Sequence, residues 1–176
     1  CGLLIAIHIA FSFLQPDGQQ QLILWFAFVP LRLQAFGQNP ADVLPLLWTP
    51  VTHAFLHANW EHLLVNVAWL ALFATPVARR YGGVAPVALF LLSAVAGAAA
   101  FALTTLLGIS QGIVLIGASG GVAGLTGAAV RFMFQPVVIG TDPVTGQPVA
   151  LGRRLATLRD VWDNSRSRFF TLIWIA

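Results

Sequence analysis

Three polar side chains interrupt otherwise apolar runs: His62 and Asn66 in "NWEHLLVNVAWL", and Ser119 in "GASGG". Polar groups are expensive in hydrocarbon, so their placement inside such runs is informative. A serine hydroxyl becomes a nucleophile when a base takes its proton, and imidazole and carboxamide N–H groups can stabilise the oxyanion of a tetrahedral intermediate. Ser119 as nucleophile with His62 and Asn66 as donors therefore has most parts of an acyl-transfer site, lacking only the general base. "GASGG" also matches G-x-S-x-G, but the apolar spans around it argue against a soluble α/β-hydrolase. Taken alone, the pairs Gly117/Gly121 and Gly120/Gly124 equally suit a helix-packing seam of small residues.

The elements that must position these residues follow from local signals. Asn59 is a good N-cap and Glu61 suits the positive end of a helix, which puts His62 and Asn66 four apart on one helical face. "GASGG" would begin a second helix, whose unpaired N–H groups and dipole favour developing negative charge. Counting 1.5 Å per residue from Arg79 puts Asn66 roughly 20 Å and His62 roughly 26 Å along the span, and from Arg131 puts Ser119 roughly 18 Å along its own. In a hydrocarbon core of about 30 Å these depths require a recessed, hydrated pocket covered by protein.

The composition agrees, with 58% hydrophobic and 9% charged residues. That pattern predicts an all-α polytopic membrane protein. One domain, 1–176, is expected to contain a partial span at 1–14, an embedded loop at 15–58 and spans at 60–80, 84–107 and 117–134. A cytoplasmic loop at 135–167 and a partial span at 168–176 complete it. About five spans result, the two terminal ones incomplete, as expected of a chain clipped at both ends. Trp25, Trp48 and Trp60 suit the headgroup level. Every basic residue is arginine, and eight of the nine fall on one side of the spans, with Arg32 opposite. The positive-inside rule makes that side cytoplasmic and turns loop 15–58 outward.

Topology thus accounts for the net charge of +3, and no nucleic-acid partner is implied. Within the cytoplasmic loop, "VVIGTDPVTGQPVAL" (137–151) has the two apolar arms and turn chemistry of a hairpin. The lone Cys1 supports neither a disulfide framework nor a sulfur metal site. His53, His57 and His62 invite a metal reading, but no helix-compatible carboxylate beyond Glu61 would complete it, so no metal is expected. His8 reads as a satisfied packing residue.

The joint pattern "HAFLHANWEHLLVN" followed by "GASGGVAGLTG" resembles the rhomboid family of intramembrane serine proteases, in its bacterial form. The resemblance rests on His-x3-His-x4-His-x3-Asn plus the G-x-S-G turn, and extends over most of the chain. It implies a six-helix bundle in the bacterial inner membrane that hydrolyses peptide bonds in or near transmembrane segments of substrate proteins, without metal or organic cofactor. It makes Ser119 the nucleophile, with His62, Asn66 and the Ser119 N–H stabilising the oxyanion. His53 and His57 match histidines regarded as structural or water-holding. The family's dyad histidine lies on a sixth span in an Ala-His-x-x-Gly type motif, which is expected beyond residue 176. Many bacterial members carry Trp-Arg in the first loop where this chain has Trp48-Thr49. Two other readings use the same residues: a rhomboid-like pseudoprotease that binds membrane clients, and a broken-helix transporter. The second lacks acidic residues in the span interiors.

Overall fold

Helix α3 (Trp60–Tyr81) begins where its signals predict. Asn59 is extended, and its Oδ1 accepts the His62 backbone N–H at 2.8 Å. Glu61 occupies the first turn, Arg79 and Arg80 the last, each sign complementing the helix dipole. Helix α4 (Val84–Leu106) follows after a two-residue turn. Both are long and apolar enough to cross a membrane. The computed structural model describes residues 1–35 and 43–175; positions 36–42 of the expected embedded loop, and Ala176 of the last expected span, lie outside the described residues. Helices α1 (Gly2–Ser12) and α2 (Pro16–Phe26) precede α3, and α5 (Ser119–Met133) follows α4. A two-stranded antiparallel ribbon, β1 (Val137–Thr141) with β2 (Pro148–Arg153), then leads to α6 (Leu158–Asp163) and α7 (Ser165–Ile175).

The segment expected as an embedded loop has more regular structure than its Pro, Gly and Trp content suggests. Pro16 starts α2 at a position where its missing N–H is harmless, and short helical stretches follow at Pro30–Ala35, Leu44–Leu47, Thr49–Thr52 and His53–Phe55. Trp25 and Trp48 are stacked with centroids 6.1 Å apart, and the Trp48 indole N–H donates to the Trp25 carbonyl at 2.7 Å. Thr52 Oγ1 donates to the Phe26 carbonyl at 2.8 Å, so α2 is fastened to the turns ahead of α3. Thr49 is fully buried, and its hydroxyl has no partner among the described residues.

Helix α5 packs on both α3 and α4. The shared core comprises Leu63, Phe73 and Val77 from α3, Ala94 from α4, and Val122 and Leu125 from α5. The outer faces of α3 and α4 are also apolar: Leu64, Val65, Leu92 and Leu103 are all exposed. Such a surface suits lipid, and there association depends on close van der Waals packing rather than on removing apolar area from water. The α4–α5 contact is built accordingly. A Cβ added to Gly97 would lie 3.4 Å from the Gly120 Cα, and one added to Gly121 would come within 2.5 Å of the Phe90 ring. The glycine repeat is therefore a packing seam as well as the approach to Ser119.

Gly121→Val should overpack this seam and destabilise the fold by about 1–3 kcal/mol. Thermal unfolding of the purified variant in detergent would register this as a lowered midpoint. An unchanged midpoint would mean that the two helices do not meet here.

Candidate active site

Ser119 is the first residue of α5 and is exposed. The chain reaches it through an irregular segment, 107–118, whose last residues include three paired to partners far upstream. Leu115 and Phe28 exchange reciprocal backbone hydrogen bonds of 2.8 and 3.1 Å. Gly117 N–H donates to the His53 carbonyl at 2.9 Å. Ala118 N–H donates to His57 Nε2 at 3.4 Å. Thus the buried N–H groups of Gly117 and Ala118, immediately ahead of the serine, are satisfied by protein, as a buried backbone requires.

The N–H groups next in the chain open helix α5. The earliest intrahelical donor of α5 is Val122, to the Ala118 carbonyl, so the N–H groups of Ser119, Gly120 and Gly121 have no intrahelical acceptor. They lie at the positive end of the helix dipole, beside the Ser119 hydroxyl. Among the described residues Ser119 Oγ makes no hydrogen bond, so the hydroxyl is not committed to holding the fold.

Gly117 brings His62 to this point. Its φ of +117° falls in the region where L side chains are strained, and a Cβ there would lie 2.6 Å from His62 Cε1 and 2.7 Å from Nε2. The imidazole therefore rests directly on the backbone two residues before Ser119. Asn66 is buried one turn further along α3, and its Nδ2 donates to the His62 carbonyl at 2.9 Å. One amide hydrogen is thereby engaged within the helix and the second remains. The sequence reading joins His62, Asn66 and Ser119 directly; the fold brings His62 to the serine turn through Gly117 and ties Asn66 to His62.

The other histidines form a row behind His62. His57 and His62 stand nearly perpendicular with centroids 5.1 Å apart, and His8 lies 6.5 Å from His57 and 4.8 Å from Trp60, edge-on to each. His57 accepts at Nε2, so its proton sits on Nδ1 and the ring is neutral. His53 Nε2 lies 3.3 Å from the Ala94 carbonyl and can only donate there, so it ties the first loop to α4. His8 departs from the sequence reading. It is buried in α1 and packed on Trp60, but its Nδ1 has no hydrogen-bond partner among the described residues. A ring can satisfy packing without satisfying both nitrogens.

Sequence reasoning missed two members of this arrangement. Gly117 reads in the sequence as one of the packing glycines, yet it also forms the seat of His62. Phe28 carries no local signal at all, since it acts through its backbone. A model of the Rhomboid domain family matches residues 45–152, which include every residue of the serine turn and the histidine row except Phe28 and His8. The chain belongs to the rhomboid family, whose members are generally intramembrane serine proteases. A search among curated proteins finds no match.

Gly117→Ala would be strained by its positive φ, by about 1 kcal/mol or more, and would also push the His62 ring away. Its unfolding midpoint in detergent should fall clearly below that of Gly127→Ala, where a Cβ meets nothing within 4 Å. Equal midpoints would show that His62 is not seated on Gly117.

Proposed function

We propose that the protein is an intramembrane serine endopeptidase that hydrolyses peptide bonds in or near the transmembrane segments of membrane proteins. The observation that carries this reading is the seating of His62 on Gly117, beside an uncommitted serine hydroxyl at a helix N-terminus. Ser119 Oγ attacks the scissile carbonyl carbon, and the developing oxyanion is met by the Ser119 N–H, the His62 imidazole and the free amide hydrogen of Asn66. The tetrahedral intermediate then breaks its C–N bond, the amine leaving with the proton taken from Ser119, and water hydrolyses the acyl-enzyme to return the serine and release the new carboxylate. Local unwinding of the substrate helix presents its bond to a serine recessed from the membrane surface.

The base that takes the Ser119 proton is proposed to be a histidine on a span beyond residue 176. His53 and His57 are engaged with Ala94 and Ala118, and His62 serves the oxyanion. No metal or organic cofactor enters this chemistry. The chain would lie in the bacterial inner membrane, among lipids and its transmembrane substrates, with segment 15–58 outward and the arginine-rich segment 135–167 cytoplasmic. No nucleic acid takes part.

The complete reading frame, reconstituted in liposomes with a single-span substrate, provides the test. Ser119→Ala should abolish cleavage while the protein keeps its unfolding midpoint. His62→Ala should lower kcat by about 10²–10³, the usual effect of losing one oxyanion donor. Cleavage by Ser119→Ala at the wild-type rate would sink the proposal, whereas absence of cleavage by any variant or by wild type would favour the client-binding homologue.

A further inference from the structure

The ribbon β1–β2 takes no part in the serine site, yet its composition and anchoring are unusual for a solvated linker. Ile139, Val144 and Leu151 are 62%, 90% and 68% exposed, and Val137, Val138 and Val149 are exposed as well. Pairing of Val138 with Gly152 and Ile139 with Ala150 leaves Leu151 in a bulge, where it lies over Gly140. Both faces of the ribbon are therefore apolar. An isolated two-stranded ribbon is marginal in water, and one with two apolar faces needs a surface to lie on.

The ribbon is rooted at the level where α3 and α5 end. Arg153 donates to the Met133 carbonyl at 2.8 Å and also to that of Gln135, while Arg80 donates to the Arg153 carbonyl at 2.7 Å. The same end of the molecule holds eight arginines against three aspartates, Asp142, Asp160 and Asp163. Arg79 and Arg166 are exposed, and no side-chain partner engages either among the described residues. Asp142, at the ribbon's tip, is turned into the turn itself, accepting N–H groups of Val144 and Thr145. The exterior therefore offers apolar side chains and positive charge together.

Two features disfavour strand addition by a peptide or a second copy. Pro136 and Pro148 remove donors at the ribbon's base and at the start of β2, and the bulge interrupts the edge. The faces, rather than the edges, are the surfaces available. Charge complementarity then selects the occupant: an apolar ribbon with arginines at its base matches the headgroup and upper acyl region of an anionic leaflet.

We propose that the ribbon is an interfacial anchor that lies on the anionic lipid surface on the arginine-rich side, with Val144 and Ile139 dipping below the headgroups. The anchor would hold the ends of α3 and α5 at a set depth, because Arg80 and Arg153 join it to both. It is independent of whether Ser119 cleaves anything.

A nitroxide on Val144→Cys, in a Cys1→Ser background, reports this in the complete protein. The protein is reconstituted in phosphatidylcholine alone, or in an equimolar mixture with phosphatidylglycerol. Collision of the label with membrane-soluble oxygen, relative to collision with a neutral water-soluble nickel chelate, should rise at least about twofold in the anionic vesicles, and adding Ile139→Asp should reverse it. A label that stays water-like in both membranes overturns the proposal. So does protection that follows protein density instead of lipid charge, since that identifies a second copy as the occupant.

Discussion

The backbone that leads into Ser119 must have its buried N–H groups paired inside the protein. Residues 107–118 are irregular, so they cannot pair with one another as a helix does. Three donors close to the serine find partners elsewhere: Leu115 on the Phe28 backbone, Gly117 on the His53 carbonyl, Ala118 on the His57 ring. An unpaired donor in a low-dielectric interior costs about 1–3 kcal/mol, so these three contacts fix where α5 can begin. Beyond Ala118 the pairing stops, and the next N–H groups are left for whatever approaches the serine.

That requirement explains the close approach of α4 and α5. Because α5 starts late and spans only fifteen residues, about 22 Å, its first turn must be held by helix packing rather than by a long preceding turn. Gly120 serves both purposes, adjoining Ser119 in sequence and resting on Gly97 and Ala94 of α4. His53 links the same helix to the first loop through the Ala94 carbonyl. A side chain added to the seam thus disturbs the frame of the site, and the small residues read as packing and as chemistry for one reason.

Arginine does comparable work at the opposite end, where helices expose carbonyls that no further turn can satisfy. Arg131 and Ala156 bond reciprocally, Nε to carbonyl at 2.9 Å and N–H to carbonyl, closing the end of α5 onto the segment before α6. Thr157 and Asp160 then form a capping box that starts α6, with Arg154 3.3 Å from the Asp160 carboxylate. The arginine-rich segments thus include a set of specific backbone caps. A planar guanidinium with several donors suits this better than a lysine ammonium, in keeping with a chain that has arginines only.

Much of this protein was determined by the sequence alone, because the relevant forces are local. The N-cap Asn59, the i, i+4 placement of His62 and Asn66, the long apolar helices and the hairpin turn each depend on a few neighbouring residues. The family, too, was legible in two short motifs. Tertiary structure decided what depends on partners distant in the chain. Gly117 became the seat of His62 only because α3 passes over it, and Asn66 was directed to its own helix by the nearer His62 carbonyl. His8 was buried with a nitrogen unpaired among the described residues because α1 packs on Trp60. Phe28 entered the frame through its backbone, which every residue type presents alike, so no reading of side chains could have found it.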